Sequence, residues 1–526
     1  MSVPTLRWNG AWESLFDGDQ PRQLEALLPA HLRTRRWFAG KARTQRGATI
    51  TDTIPIPTDS GTVVLMLIRV DYLDAETEIY TLPVGFAAHD DAARIESESP
   101  TLIIAHTDGG SGEPRGILYD ATGSAGFAEA LLDTIIRRRT FHGAESRIEC
   151  SPTSALEDLI TRAETSLTPK LSGAEQSNSS IRFGDRLMLK LFRRPEDGIN
   201  PEVELGRALT ARRFKNAPPL AGTIEYRANN GEQRAVAVLH GLVAGAMDGW
   251  EFTLEALRQY YNRVRPLGEL PASGEIGSLT GSYIDSARLL GQRTAEMHLA
   301  LAADREHPGF APEPFTLGEQ DALCESMRGL ARNNLRLLNQ KLATLTGEAR
   351  DLATSVIASE GEIIGLFHRL ADTPLTGLRI RIHGDYHLGQ TLRTGGDFFI
   401  VDFEGEPSVP LSERRMKRTP FTDVAGLLRS FDYAAHAALR RESDQDALAV
   451  WAERWTRAVS AACLESYLSH MGTSDILPAS AAERALLLDT HLLRKAVYEI
   501  GYEANNRPDW LPIPCRGILA LLGRSR

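Results

Sequence analysis

Several classes of protein are excluded by residue types of which the sequence has little. Its 526 residues include four cysteines, Cys150, Cys324, Cys463 and Cys515, which are far apart and form no Cys-x-x-Cys pair. A disulfide framework is typical of small, cysteine-dense domains, and a zinc site built from cysteines typically contains a Cys-x-x-Cys pair. The sequence therefore predicts reduced thiols in a cytoplasmic protein.

Long hydrophobic runs and an excess of positive charge are also missing. No stretch of about 18 consecutive apolar residues occurs, so we expect no membrane span. The first ten residues contain no basic segment followed by an apolar core, so they do not predict a signal peptide. The formal net charge of -10 disfavours sequence-independent binding to nucleic acid, which requires a basic surface.

The composition is that of an ordinary globular protein, with 42% hydrophobic and 24% charged residues. At roughly 100–200 residues per domain, the length predicts two or three domains. Residues 1–140 are rich in β-branched runs and predict a separate sheet subdomain. Residues 141–250 have the pattern of a kinase small lobe, and residues 251–526 are mostly helical. We therefore predict an α+β, bilobal fold similar to that of protein kinases.

Hydrophobic periodicity sets the predicted elements. The predicted strands of the first part are 62–70, 78–84 with its end at Pro83, 101–105 and 116–119, followed by a helix over 124–137. The main predicted helices of the last part are 283–302, 317–345, 349–371, 421–442, 445–470 and 480–505.

The segment most informative about chemistry is His383-Gly-Asp-Tyr-His387, with Gln390 shortly after it and Asp402 at the end of a short hydrophobic run. In kinase chemistry one carboxylate orients the attacking hydroxyl and accepts its proton, the role we assign to Asp385. An amide oxygen and a second carboxylate hold Mg²⁺, the roles we assign to Gln390 and Asp402. A His-Gly-Asp sequence alone is also typical of an ordinary turn. The whole pattern at this spacing favours the kinase interpretation.

A nucleotide site is predicted in the middle part of the chain. Lys190 lies within the apolar run 186–192, where a buried ammonium is costly unless it is paired. We expect it to contact the α- and β-phosphates of ATP and to pair with Glu204, preferred over Glu202. The alternative is that both glutamates only complement the dipole of their helix.

Two further segments complete the predicted nucleotide site. The polar tip of a hairpin is expected to cover the phosphates; it consists of Ser177, Asn178, Ser179 and Ser180. Such a run is also typical of a simple turn. His240, Leu242 and Val243 are expected to contact adenine because they end the strand before the helical part. This connecting segment is less polar than expected for such a role.

An acceptor site is predicted near the C-terminal end. Tyr498 and Tyr502 share one helix face and Glu499 lies beside them, with Trp510 shortly after. Aromatic faces next to carboxylates suit a polyhydroxylated acceptor, to which we also assign His383 and His387. The alternative is a helix that packs on the large lobe with Trp510 as an anchor.

Two other segments have two interpretations each. Arg36, Trp37, Phe38 and Lys41 form a basic-aromatic cluster near the start of the chain. It could bind a phosphate, although two buried rings with basic side chains extending to water are the simpler interpretation. Asp423 either braces the catalytic loop or caps its helix.

Together these segments resemble the bacterial maltokinases, which belong to the eukaryotic-like kinase superfamily with the aminoglycoside phosphotransferases. The resemblance rests on Arg36–Lys41, Glu175–Ser180, the Lys190 strand, His383–Gln390, Asp402–Pro407, Asp423–Phe431 and Tyr498–Trp510. The His-Gly-Asp and Asp-Phe-Glu-Gly segments are shared across the superfamily, whereas the terminal segments are typical of maltokinases.

This resemblance implies an N-terminal cap subdomain over residues 1–140, an intermediate subdomain and a helical C-terminal lobe. It also implies phosphorylation of maltose to maltose 1-phosphate with ATP and Mg²⁺, a step that feeds glycogen synthesis from trehalose. Trehalose synthase is the protein partner that the resemblance suggests. Three alternatives stay open: a glucosamine kinase, an antibiotic phosphotransferase, and a pseudokinase that acts as a scaffold for trehalose synthase.

Overall fold

The computed structural model describes residues 3–8, 11–16, 18, 20–108, 115–161, 166–172, 177–267 and 276–524, and the elements given below belong to these ranges. The chain has two compact units. The first consists of Met1–Arg213 and Pro218–Ala244, and the second of Phe214–Ala217 and Gly245–Arg526. The first unit is rich in strands and the second is mostly helical, which confirms the predicted α+β class. The three-part division at residues 140 and 250 stays a prediction.

The first sheet of the first unit has the strand order β1-β5-β6-β4-β3-β2, and its neighbours are antiparallel except for β1 and β5. Its strands are β1 (Thr5–Leu6), β2 (Gln45–Thr58), β3 (Gly61–Tyr72), β4 (Glu78–Ala88), β5 (Ile103–Thr107) and β6 (Gly116–Asp120). Three helices accompany it, α1 (Pro21–Thr34), α2 (His89–Glu98) and α3 (Ala125–Ile136).

This sheet is covered on both faces, which explains the unbroken apolar run of β3. Val64, Met66 and Ile68 pack with the α1 helix in one core. Val63 and Leu65 point the other way into a second core, because successive side chains of a strand alternate between its faces. Burial on both faces replaces the usual polar alternation with a continuous hydrophobic segment.

Two features of this sheet correct the sequence prediction. The strand predicted to end at Pro83 continues through that proline to Ala88, and Pro83 pairs with Leu65. The prediction missed β2, whose Pro55 and Pro57 discourage a strand assignment. Since β2 is an edge strand of the sheet, it tolerates prolines whose missing N–H groups face away from the ladder.

The second sheet of the first unit is antiparallel throughout and has the order β7-β8-β12-β13-β11-β10-β9. Its strands are β7 (Thr140–His142), β8 (Ser146–Pro152), β9 (Pro169–Leu171), β10 (Ser179–Phe183), β11 (Leu187–Leu191), β12 (Leu220–Ala228) and β13 (Gln233–Gly241). Two helices belong to this part, α4 (Ala155–Thr161) and α5 (Pro201–Ala211). Helix α5 begins as its sequence predicts, because Asn200 caps it by accepting from the Glu202 N–H and Pro201 takes the first turn.

The second unit consists mainly of packed helices with short strand pairs. Its strands are β14 (Met247–Asp248), β15 (Glu313–Pro314), β16 (Leu378–Arg379), β17 (Thr391–Thr394) and β18 (Asp397–Ile400). Its helices are α6 (Gly249–Val264), α7 (Ile276–Leu279), α8 (Tyr283–Leu301), α9 (Leu317–Lys341), α10 (Gly347–Ala358), α11 (Glu360–Asp372), α12 (Leu411–Arg414), α13 (Phe421–Leu439), α14 (Gln445–Met471), α15 (Ala481–Asn506) and α16 (Pro512–Arg524).

The helix predicted over 349–371 is in fact two helices, α10 and α11, which meet at Ser359. The Ser359 hydroxyl donates to the Ser355 carbonyl at 2.9 Å, a local bond that competes with the helical pattern. None of the helices in the described ranges combines the length and the hydrophobicity that crossing a bilayer requires.

Candidate active site

The backbone of the loop that contains Asp385 is held by hydrogen bonds to Asp423, the third residue of α13. One carboxylate oxygen accepts from the His383 N–H at 2.8 Å and the other accepts from the Gly384 N–H at 2.9 Å. Asp423 therefore braces the loop, which confirms the first of its two predicted roles. The His383 side chain is buried, and its Nε2 lies 2.9 Å from the Val401 carbonyl. This position corrects the prediction that His383 contacts the acceptor.

Two glycines make this arrangement sterically feasible. Gly384 has a φ of +86°, a conformation that side chains disfavour, and a Cβ there would lie 3.4 Å from the Gly405 Cα. A Cβ on Gly426 of α13 would lie only 2.5 Å from the Tyr386 carbonyl oxygen, so the helix can approach the loop closely. The backbone geometry therefore favours glycine at positions 384 and 426.

A buried polar chain continues behind Asp423. His298 of α8 lies 3.1 Å from the Asp423 Oδ2, and its other ring nitrogen lies 3.0 Å from the Tyr467 hydroxyl. Burial acts to raise the pKa of Asp423, but His298 and the loop N–H groups outweigh it and lower that pKa. The carboxylate is thereby kept in the charged form that accepts hydrogen bonds from the loop.

Gln390 and Asp402 lie side by side, as the predicted metal site requires. The Gln390 amide donates to the Asp402 Oδ2 at 3.0 Å. Asp402 has a φ of +67°, unusual for a residue other than glycine, and such strain is common at functional sites. A carboxylate oxygen of Glu404 lies within 4.8 Å of one from Asp402. This set of oxygen donors fits Mg²⁺, and Glu404 is a further candidate ligand that the sequence prediction missed.

Asp385 lines a cavity of about 100 Å³ in the second unit, together with Glu406, Arg494, Lys495 and Tyr498. The Tyr498 hydroxyl donates to Glu406 at 3.1 Å, and the Lys495 ammonium lies 4.9 Å from the centre of the Tyr498 ring. The same ammonium lies 3.8 Å from the Asp385 Oδ1. The prediction missed Lys495, although it precedes Tyr498 by three positions and therefore shares its helix face.

Only part of the predicted acceptor segment faces this cavity. Glu499 is buried and points to Arg429, whose guanidinium approaches one of its oxygens to 2.6 Å, so the prediction that Glu499 contacts the acceptor is corrected. Glu499 and Tyr498 are consecutive in α15, and consecutive helical residues face directions about 100° apart. Tyr502 is exposed at the protein surface. Trp510 stacks with Tyr433 at 6.2 Å between ring centres.

His387 lies on the side of the loop that faces Asp385, with its Nε2 3.8 Å from the Asp385 Oδ2. Its Nδ1 accepts from the Gly389 N–H at 3.1 Å, which orients the ring. The assignments of His387, Tyr498, Tyr502 and Trp510 to the acceptor stay predictions.

The first unit carries a second polar cluster, centred on Glu202. The Lys190 ammonium lies 3.0 Å from the Glu202 Oε2, and the His240 Nε2 lies 3.0 Å from its other oxygen. Burial acts to raise the pKa of Glu202, but Lys190 and His240 outweigh it and lower that pKa. Glu202 is the partner of Lys190, so the preference for Glu204 was wrong. Side chains two positions apart on a helix point in directions about 200° apart, so Glu204 points away from the sheet when Glu202 faces it.

The predicted phosphate-covering segment differs in exposure from residue to residue. Ser177 is exposed, whereas the Ser179 hydroxyl is buried and accepts from the Arg193 Nε at 2.8 Å. This contact corrects the expectation that the Ser179 side chain faces a phosphate. Ser180 pairs with Lys190 across the β10–β11 hairpin, and such cross-strand partners share a face of the sheet. Glu175 and Gln176 of the same motif lie outside the described residues.

Some groups of the segment predicted to contact adenine already bind other residues of the protein. The Leu242 N–H donates to the Arg186 carbonyl at 2.6 Å and is therefore not available to a base, which corrects that part of the prediction. The His240 side chain belongs to the Glu202 cluster described above. The assignment of Val243 stays a prediction.

Comparisons with known proteins show what the chain is similar to. Residues 31–123 match the model of the maltokinase N-terminal cap domain. Because this match covers 93 of the 526 residues, it characterises the cap region and not the whole chain. A glucosamine kinase from Streptacidiphilus jiangxiensis is 26% identical over 66% of this chain and 72% of its own length. A glucosamine kinase from Mycolicibacterium smegmatis is 25% identical over 76% of this chain and 88% of its own.

A solved structure extends the likeness to the whole fold. It is a glucosamine kinase in complex with glucosamine, ADP and inorganic phosphate, with a TM-score of 0.63 and 19% identity. The match covers 98% of this chain and 100% of the chain in that structure. At this identity the likeness shows a shared fold, so the choice of acceptor has to be argued from the residues of the site.

Proposed function

We propose that the protein is a sugar kinase that transfers the γ-phosphoryl group of ATP to the anomeric hydroxyl of maltose. The observation that carries the proposal is the position of Asp385, on the wall of a cavity that it shares with Tyr498, Lys495 and Glu406. A carboxylate, an aromatic ring and polar groups around one cavity suit the reacting end of a sugar, whose hydroxyls need hydrogen-bond partners. The match to the maltokinase cap domain supports maltose as the acceptor.

The proposed reaction forms one bond and breaks one. The acceptor oxygen forms a bond to the γ-phosphorus, the bond from that phosphorus to the bridging oxygen of ADP breaks, and Asp385 takes the hydroxyl proton. Lys190 would contact the α- and β-phosphates, held in place by its pair with Glu202. Gln390 and Asp402 would hold Mg²⁺, which supplies positive charge to the phosphate oxygens when bound. The catalytic contribution of the protein is then positioning and charge neutralisation.

A glucosamine kinase is the second candidate, because two similar proteins carry that name. The cavity beside Asp385 has no excess of negative charge that would select an amino sugar. Its lining contains four acidic residues and four basic ones, namely Asp385, Glu406, Glu413 and Asp423, and Arg414, Arg418, Arg494 and Lys495. The Lys495 ammonium, 3.8 Å from Asp385, already supplies a positive charge next to that carboxylate. The pseudokinase alternative is disfavoured by the joint presence of Lys190, Asp385, Gln390 and Asp402.

The deciding experiment measures ADP release from ATP and Mg²⁺ with maltose, glucosamine, glucose and kanamycin as acceptors. We expect the highest kcat/KM with maltose. The highest kcat/KM with glucosamine would identify glucosamine, and not maltose, as the acceptor. The highest kcat/KM with kanamycin would indicate an antibiotic phosphotransferase. No ADP release with any acceptor, together with tight binding to trehalose synthase, would support the scaffold alternative and overturn the proposal.

A further inference from the structure

The wall of the Asp385 cavity contains two arginines to which the proposed reaction gives no role, Arg418 and Arg494. Arg494 belongs to α15 and directly precedes Lys495, and Arg418 follows the short helix α12. The backbone of Arg418 is fixed by two hydrogen bonds with Ile380, of 2.8 and 2.9 Å. Both arginines are half-buried, so their side chains are part of the cavity wall and do not extend freely into solvent.

Neither guanidinium has a counter-charge in contact with it. In the ranges of the chain that the structure describes, no carboxylate forms an ion pair with Arg418 or Arg494. The Arg418 Nη2 donates to the Glu413 carbonyl at 3.5 Å, which is longer than an ordinary N–H···O bond. The Arg494 side chain donates to no residue of those ranges. Most of the N–H donors of the two forks are therefore available to a ligand.

The acidic residues that line the cavity are engaged elsewhere. Asp423 accepts from the backbone of the catalytic loop. Glu406 accepts from the Tyr498 hydroxyl at 3.1 Å, and Asp385 takes the acceptor proton in the proposed reaction. Glu413 is exposed to solvent. The balance of charges around the cavity as a whole thus leaves the two arginines without a close partner.

The two arginines also repel each other. Burial lowers the pKa of Arg494 to about 10, and the charge of Arg418 adds to this shift. Glu406 and Tyr498 act against it. Burial also lowers the pKa of Arg418, opposed by Glu413. Both groups stay charged near neutral pH, and two like charges in a partly dehydrated cavity are costly unless an anion compensates for them.

His491 lines the same cavity but adds no positive charge. Its Nδ1 lies 2.8 Å from the Leu487 carbonyl, which can only accept, so Nδ1 carries the hydrogen and Nε2 is left as an acceptor. Burial lowers the pKa of His491 to about 3, and the charges of Arg494 and Arg418 contribute to this shift. The ring is therefore neutral near neutral pH, and the positive charge at this part of the wall comes from the arginines.

A phosphate group has the chemistry that these two side chains match. Guanidinium forks bind phosphate oxygens through paired N–H donors. A phosphate group carries a charge of about -1.5 to -2 near neutral pH, which two arginines neutralise better than they would a singly charged carboxylate. The cavity volume of about 100 Å³ has room for several water-sized groups, enough for a phosphate.

We propose that Arg418 and Arg494 form an anion subsite of the Asp385 cavity, which binds a phosphate group and thereby competes with the sugar acceptor. The phosphate group can come from inorganic phosphate or from the phosphorylated sugar that the reaction produces. Either ligand would occupy space that the acceptor needs, so turnover would slow as phosphate compounds accumulate. This inference rests on the proposed function, since it assumes that the acceptor binds beside Asp385.

The first test measures the binding of inorganic phosphate and of maltose 1-phosphate to the full-length protein by isothermal titration calorimetry. Nucleotide is left out and a chelator removes Mg²⁺, so that a phosphate held through the metal does not contribute to the signal. The test variants are Arg494→Gln and Arg418→Gln. Arg494→Lys, which keeps the charge and loses the fork, serves if Arg494→Gln does not fold.

The matched control is Arg484→Gln, on the same helix α15. The Arg484 guanidinium donates to the Pro478 and Ala479 carbonyls, both at 2.7 Å, and it does not line the cavity. The control therefore removes a guanidinium and two hydrogen bonds from the same helix without changing the subsite.

We expect saturable binding by the wild type, with a Kd that rises about 10-fold or more in Arg494→Gln and Arg418→Gln. Arg484→Gln should bind as the wild type does. Arginine-dependent binding of maltose 1-phosphate alone would identify the product as the ligand, and similar binding of both compounds would show that the phosphate group is sufficient. Equal binding by all variants, or no binding of either compound by the wild type, would overturn the inference.

The second test follows ADP release with maltose varied, in the presence of whichever phosphate compound binds. The compound should raise the KM for maltose and leave kcat unchanged, and Arg494→Gln should lose this effect. A lower kcat with an unchanged KM would place the anion outside the acceptor cavity and overturn the inference. Absence of turnover with maltose would overturn the proposed function, whereas the calorimetric titration would still decide whether the anion subsite exists.

Discussion

The Lys495 ammonium lies 3.8 Å from the Asp385 carboxylate, on the helix that also carries Tyr498. At this distance the two groups attract each other electrostatically without forming a direct hydrogen bond. Both groups can therefore still form hydrogen bonds with a bound substrate. An acceptor hydroxyl near Asp385 would therefore also lie near a fixed positive charge. This relationship connects the residue proposed to take the proton with the helix proposed to bind the sugar.

Replacing Lys495 by methionine tests its role at the acceptor site. We expect kcat/KM for maltose to fall by about 10- to 100-fold, as misplaced groups near a reacting centre cause. The KM for ATP should change little. Steady-state kinetics with each substrate varied in turn give both values. Lys341→Met is the control, since Lys341 ends helix α9 away from the Asp385 cavity, and an equal loss in both variants would contradict the role.

The proton-accepting role of Asp385 predicts a specific pattern in Asp385→Asn. Turnover should fall by about 10²- to 10⁴-fold, the usual contribution of a general base. ATP binding should stay near the wild-type value, because the amide keeps the size of the carboxylate. Turnover is followed by ADP release and binding by calorimetry. Near-normal turnover in this variant would refute the assignment.

The Glu202 cluster allows two neighbouring glutamates to be compared directly. Glu202→Gln removes the buried carboxylate that lies 3.0 Å from both Lys190 and His240, and breaking such a pair typically costs about 3–5 kcal/mol. We expect a lower melting temperature and a higher KM for ATP. Glu204→Gln is the matched control and should change neither by much. A larger effect of Glu204→Gln on the KM would restore the original preference for that residue.

The predicted metal site gives a titration experiment. Asp402→Asn removes one of the charged oxygen ligands, so the Mg²⁺ concentration for half-maximal activity should rise by roughly 10-fold or more. Gln390→Ala should raise it less, because a neutral amide contributes less to binding a divalent cation. Chelation of Mg²⁺ should stop turnover of the wild type, and its return should restore it. Full activity in chelator would refute metal dependence.

The stability of the protein is predicted to depend on pH through the ion pair of His436 and Asp432, both on α13. Burial acts to lower the pKa of His436, but its hydrogen bond and ion pair with Asp432 outweigh this and raise that pKa above 6.5. The stabilisation is therefore fully present below pH 6.5 and is lost as pH rises through the higher folded-state pKa. The pKa of Asp432 is lowered to about 2, so Asp432 stays charged throughout this range; burial opposes this shift, and Arg429 drives it.

Melting temperatures of the wild type and His436→Asn, measured from about pH 6 to about pH 8.5, test this dependence. The advantage of the wild type should be largest at low pH and should shrink toward high pH. A constant difference would mean that His436 is not protonated in the folded protein.

The sequence by itself predicted the fold class and the proximity of Gln390 to Asp402, whereas the catalytic and metal-binding roles stay predictions. The predictions around Asp385 depend on short-range patterns: a Gly-containing turn, an amide five positions later, and a hydrophobic run that leads to Asp402. Asp423 could also be assigned a supporting role, because its position at the start of a helix limits what it can do. Most helices and strands followed from the period of their apolar residues.

Only the tertiary structure decided which charged groups meet. Glu202 and Glu204 look equivalent in the sequence, and the rotation of α5 against the sheet selects Glu202. Glu499 likewise looked like an acceptor residue until Arg429, 70 positions earlier in the chain, was found beside it. Local patterns specify which face of an element is apolar, whereas the pairing of buried charges depends on how distant elements pack. That packing also places the Arg193 guanidinium over the Trp37 ring, 4.6 Å from its centre. The two residues lie far apart along the chain, so the sequence does not reveal this contact.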